Sequence, residues 1–109
     1  MTVKPVIPRG LAHHDVDDAI DYYLADSAPQ AAEGFIDEVE QAFARIGRQS
    51  GVGSPRYGHE LEIPGLRAWP LKRYPYLVFY MERPDYIDVW RILHTRRDIP
   101  AWLGPPEAE

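Results

Sequence analysis

"YLVFYMERPDYIDVWRILHT", residues Tyr76 to Thr95, decides the fold. Two runs rich in aromatic and β-branched residues flank "RPD", a proline-aspartate turn signal, and predict strands over Tyr76–Glu82 and Tyr86–Thr95. So short a connection joins antiparallel neighbours, because a parallel crossover needs about a dozen residues or more. Both faces of the first run are apolar, with Tyr76, Val78 and Tyr80 on one and Leu77, Phe79 and Met81 on the other. Such a strand is covered on both sides or awaits a cover. In the second run, alternation puts Trp90, Ile92 and His94 on one face.

Upstream, "GLRAWPLKRYP" predicts a strand over Leu66–Leu71, interrupted at Pro70, with "KRYP" as the connection to the next. A short extra strand is expected over Glu60–Ile63. Near the start, "TVKPVIP" alternates weakly, and Pro5 and Pro8 donate no N–H, so a strand there belongs at a sheet edge. Its place in the sheet is open.

Between these strands the apolar spacing turns helical. Ala12, Val16, Ala19, Ile20 and Tyr23 predict a first amphipathic helix over residues 10–25, with Asp15, Asp17, Asp18 and Asp21 crowding its early turns, where the helix dipole favours anions. "DSAPQ" follows, with Ser27 as a capping residue, Gln30 as its capping-box partner and Pro29 in the first turn. Ala32, Phe35, Val39, Ala42, Phe43 and Ile46 then predict a second helix ending among Gly47, Gly51 and Gly53. A short link folds the pair back as a hairpin that covers one sheet face. The fold class is α+β: an N-terminal edge strand, a two-helix hairpin, then a three- to four-stranded antiparallel sheet. At 109 residues this is one domain, assigned to residues 1–103, with "GPPEAE" (104–109) as a frayed tail.

The composition excludes several classes. No apolar run reaches the roughly 18 residues a membrane-spanning helix needs, and no secretory signal is legible, so a cytoplasmic protein is expected. The absence of cysteine removes disulfides, thiolate catalysis and cysteine-bound zinc together. His13 and His14 are adjacent and point about 100° apart on a helix, and His59 is distant, so no metal site is predicted. The net charge of −5 is unevenly placed: residues 1–50 hold nine acids against four bases, while residues 67–97 hold seven bases against three acids. Two surfaces of opposite sign are expected, suited to different partners.

The basic cluster is Arg67, Lys72, Arg73, Arg91, His94, Arg96 and Arg97. It has an ordinary role available, with Arg91 and Arg97 pairing with acids such as Asp88 and Asp98 to fix the sheet edge, and His94 as a hydrogen-bonded strand-end residue. The aromatic set Tyr74, Tyr76, Phe79, Tyr80, Tyr86 and Trp90 is read as core rather than as a base-stacking platform, because the net charge opposes phosphate binding.

The order of elements, with "GLR" at Gly65–Arg67, "YPYLVFY" at Tyr74–Tyr80 and "ILHTRRD" at Ile92–Asp98, resembles the ParE/RelE superfamily of bacterial toxins, and the ParE branch most. The resemblance spans residues 2–103. Pro70, the bulky Trp90 and Trp102, and the acidic net charge depart from its pattern. It implies the toxin of a type II toxin-antitoxin pair, without cofactor or membrane partner, neutralised by a cognate antitoxin. For a ParE-like toxin it implies a non-enzymatic growth inhibitor of DNA gyrase, contacting its target through Arg91, His94, Arg96, Arg97 and Trp102. For a RelE-like toxin it implies an endoribonuclease acting on ribosome-bound mRNA, with Arg67, His94 and Arg96 as catalytic candidates. The acidic helices, and the lack of a tyrosine beyond Arg97, favour gyrase. A detoxified relic that only binds antitoxin is the third possibility. The antitoxin is expected to fold over an open apolar sheet face at Arg67, Tyr76, Val78, Tyr80 and Trp90.

Overall fold

The computed structural model describes residues 3–103; the tail expected over 104–109 lies outside the described residues. The chain runs β1 (Val6–Pro8), α1 (Gly10–Ala25), α2 (Pro29–Arg48), a single 3-10 turn (Ser50–Val52), α3 (Arg56–Glu60), β2 (Leu66–Pro70), β3 (Tyr76–Glu82), β4 (Ile87–His94) and α4 (Ile99–Leu103). No helix among the described residues is long and apolar enough to cross a membrane.

The sheet order is β1-β4-β3-β2. β2, β3 and β4 pair antiparallel, as the turn lengths require, while β1 lies at the edge parallel to β4, matching Val6 with Ile87 and Pro8 with Val89. The sheet is therefore mixed. The parallel match is possible because the whole α1–α2 hairpin lies between the two strands, more than enough chain for a crossover.

One irregularity re-aims β4. Phe79 pairs with Arg91 but Tyr80 pairs with Val89, so Trp90 is an extra residue opposite the β3 step. This bulge breaks the alternation: Ile87, Val89 and Ile92 face the hairpin, while Trp90 and Leu93 face the other way. Trp90 and Ile92 do not share a face, contrary to the sequence reading.

The hairpin packs Ala12, Ala19, Phe35, Val39, Ala42 and Ile46 against Tyr76, Val78, Tyr80, Val89 and Ile92. The second face is not left waiting for a partner. The segment expected to be a strand over Glu60–Ile63 is instead α3 and the turn after it, and with α4 it brings Tyr57, Ile63 and Ile99 onto Leu66, Phe79 and Trp90. Gly58 permits this approach, since a Cβ there would sit 2.6 Å from the Leu66 carbonyl oxygen.

Two local readings fail. Ser27 does not cap α2: it adopts φ 54 in the inter-helix turn, Ala28 takes the cap position without a side-chain bond, and only Pro29 in the first turn holds. No acid lies in the first turn of α1, and its nearest acid, Asp15, faces inward and is buried.

The β1–β4 end is closed by Asp88, which is 4% exposed. Arg9 forks onto it at 2.9 and 2.8 Å, Arg83 donates to Oδ2 at 3.1 and 2.9 Å, and the Trp90 indole N–H does so at 3.2 Å. Burial pushes the carboxyl pKa up, but the hydrogen bonds from Arg9 and Arg83 outweigh it and the net shift is downward. A depressed folded pKa gives stability that is present above the unfolded value near 4 and lost as pH falls through the folded value. Asp88→Asn is expected to cost about 3 kcal/mol at pH 7 by leaving two guanidiniums without their carboxylate. Urea midpoints measured from pH 7 down to about 2 should fall less steeply in the variant than in the wild type.

Candidate functional site

β1 ends at Pro8, so beyond Val89 the outer edge of β4 has no neighbouring strand. α1 closes that edge with one side chain. Asp15 accepts the Ile92 backbone N–H at 2.9 Å and the Arg91 guanidinium at 2.8 and 2.7 Å. Both side chains are buried, and the remaining Arg91 amine donates to the Trp102 carbonyl at 2.7 Å, which ties down α4. Charge-assisted forked bonds of this kind are short and directional.

Around this pair lies a cleft of about 400 Å3, walled by Tyr22, Tyr76 and Trp102, floored by Ile92 and Leu93, and rimmed by Asp18, His94, Arg96 and Arg97. Trp102 is 41% exposed and Tyr22 63%. The Arg97 guanidinium lies 4.3 Å from the Trp102 ring centroid and Arg91 5.5 Å, so the indole holds Arg97 in place while its N–H groups remain open to a partner. His94 packs edge-on against Tyr76, and its Nδ1 accepts the Arg96 backbone N–H at 3.1 Å. Burial, with Arg96 and Arg97 nearby, lowers the His94 pKa, so the ring is neutral at pH 7 with its proton on Nε2. Burial also raises the Tyr76 phenol and pushes Tyr23 up to about 12, so neither supplies a phenolate at neutral pH.

Of the expected target-contact residues, His94, Arg96, Arg97 and Trp102 share this rim. Arg91 does not: its guanidinium is committed to Asp15 and Trp102, and the pairing with Asp88 expected from sequence is replaced by the one with Asp15. The catalytic trio fails to assemble. Arg67 sits opposite Tyr80 and His94 opposite Tyr76, which separates them by about 13 Å along the sheet and two strand spacings across it. Arg67 instead donates to the Gly53 carbonyl at 2.7 Å and the Gly51 carbonyl at 3.3 Å, fixing the loop after α2.

The expected antitoxin residues are corrected too. Val78 and Tyr80 are 0% exposed beneath the hairpin and offer no surface to a partner, and Tyr76, packed beside them, reaches the surface only as a wall of the β4 cleft. Trp90 is buried on the other face, its ring capped by the Arg9 guanidinium at 4.6 Å. The sequence reading missed Asp15, although a signal was there: it lies three residues after Ala12 and four before Ala19, an acid inside the apolar stripe of α1. Among the described residues no three His, Cys, Asp or Glu side chains come together to hold a metal ion.

A family model described as the ParE toxin of the type II toxin-antitoxin system parDE matches residues 6–99. A solved chain of the chromosomal ParDE toxin-antitoxin system from P. aeruginosa is similar in fold, with a TM-score of 0.71 at 21% sequence identity, over 84% of this chain and 96% of that one. No curated protein matches the sequence. With the whole architecture from β1 to β4 inside the matched span, the chain belongs to the ParE toxin family of type II toxin-antitoxin systems.

Proposed function

We propose that this ParE toxin arrests growth in the cytoplasm by binding DNA gyrase through the cleft at the end of β4, without catalysing a reaction, and that a cognate antitoxin neutralises it. The observation that carries this reading is the division of labour among the cations. Arg96 and Arg97 are exposed beside Trp102 and Tyr22, as a binding surface requires, whereas Arg67, which ribonuclease chemistry would need beside them, is bonded to its own loop across the sheet. Aromatic and arginine side chains at one rim are the usual anchors of protein interfaces.

For the antitoxin, the open surface is the outer groove between α1 and α2. It is a cleft of about 220 Å3 lined by Ala12, Val16, Ile36, Val39 and Phe43, with Asp17 and Glu40 beside them. An amphipathic segment fits such a groove by its apolar face, and the flanking acids favour basic residues at its margins.

Purified toxin should cause cleaved gyrase–DNA complex to accumulate. The Arg96→Ala/Arg97→Ala double variant should need about tenfold or more toxin for the same effect, with unchanged thermal unfolding because both side chains are exposed. Ribosome-dependent message cleavage that Arg96→Ala abolishes would overturn the reading. Ile36→Glu, at a position 38% exposed, should weaken antitoxin capture about tenfold or more and leave gyrase poisoning in place.

A further inference from the structure

At the opposite edge of the sheet, α2 and the β2–β3 connection enclose a second cleft, of about 260 Å3. α2 presents Gln41, Arg45 and Arg48 to it at helical spacing, and Trp69 and Lys72 form the facing wall. The Arg45 guanidinium lies 5.8 Å from the Trp69 ring centroid. Lys72 is fixed there by α2 itself, because its backbone N–H donates to Glu38 Oε1 at 3.2 Å. Glu38 is buried, and its ion pair is with Arg73 at 4.0 Å. Among the described residues no carboxylate pairs with Arg45, Arg48 or Lys72. Two arginines in the last turn complement the helix dipole on their own, but that does not account for a lysine brought to them from a distant hairpin.

The adjoining strand edge is closed to an extended peptide. Ser54 and Ala68 exchange backbone bonds at 2.8 and 3.0 Å, and Pro70 has no N–H to offer. Of the acids of α1, Asp17 lines the hairpin groove and Asp15 and Asp18 the cleft at the end of β4, and the carboxylate that lines this cleft, Glu38, is buried. Exposed charges more than about 8 Å away are largely screened at physiological salt, so the net charge of −5 does not cancel this patch.

We propose that Arg45, Arg48 and Lys72 grip the phosphate backbone of double-stranded DNA. Resting on the gyrase reading above, this cleft holds the DNA that gyrase carries while the cleft at β4 holds the enzyme. Sequence-independent contacts of this kind come from cations alone and weaken steeply with salt.

The test is fluorescence anisotropy of a labelled duplex of roughly 20 base pairs with the full chain, across about 50 to 200 mM NaCl. Three phosphate contacts give a slope of log affinity against log salt of about −3. Arg45→Ala/Arg48→Ala/Lys72→Ala should lower affinity about tenfold or more at the lowest salt and flatten the slope. Should that variant not fold, Arg48→Glu alone reads the same loss. Absence of salt-dependent binding by the wild type, or wild-type binding by the triple variant, overturns the proposal. Poly-L-glutamate competing as well as DNA at equal charge also overturns it, in favour of an acidic protein. Capture of gyrase without DNA is measured separately and should be unchanged in the triple variant, while cleaved complex falls. Duplex binding without gyrase capture defeats the gyrase reading alone; gyrase capture without duplex binding defeats this inference alone.

Discussion

The bidentate pair between Asp15 and Arg91 is the constraint on which the rest of the molecule depends. β1 is three residues long and leaves the outer edge of β4 beyond Val89 without a strand neighbour, and an open strand edge in a small domain invites wrong pairing. Asp15 fills that gap by accepting the Ile92 N–H, and Arg91 neutralises it while reaching on to α4. One carboxylate and one guanidinium thereby join α1, β4 and α4, and the walls of the β4 cleft come from those three elements and from Tyr76 at the start of β3. Removing both charges from water offsets much of their attraction, so the net stability such a buried pair contributes is smaller than the cost of breaking it by removing one partner.

The positive segment between residues 67 and 97 is not one surface. Arg67 is consumed by loop carbonyls, Arg83 by Asp88 and Arg91 by Asp15. Of those that remain exposed, Arg96 and Arg97 line one cleft and Lys72, with Arg45 and Arg48, lines another at the opposite sheet edge, while Arg73 lies outside both, 4.0 Å from Glu38. Charge counted along a sequence overstates the field available to a partner, because each internal ion pair removes a cation from it.

Much of the fold was legible because its signals are local. The strand runs from Leu66 to His94, the "RPD" turn and the two helical stripes each carry their own period and punctuation, and the elements follow them. The short α3 was not legible, because five residues of "RYGHE" have no periodicity and are held by packing of Gly58 against Leu66. The bulge at Trp90 was hidden for the opposite reason: the run looks regular, and one residue out of phase moves Arg91 and Ile92 without changing composition. The site was only half legible. His94, Arg96, Arg97 and Trp102 cluster in sequence and share a rim in space, but the fate of Arg91 depends on an aspartate 76 positions earlier. The second sheet face, read as open to an antitoxin, is closed by α3 and α4, an outcome of tertiary packing that alternation in β3 cannot reveal.

The most direct measurement of this account is a double-mutant cycle on Asp15→Ala and Arg91→Ala, read by urea unfolding at pH 7. Each single variant leaves a buried charge without its partner, so the pair should show a coupling energy of about 2 to 4 kcal/mol, with the double variant no less stable than either single one. Losses that add to within about 0.5 kcal/mol would contradict the claim that these two side chains act as one structural unit.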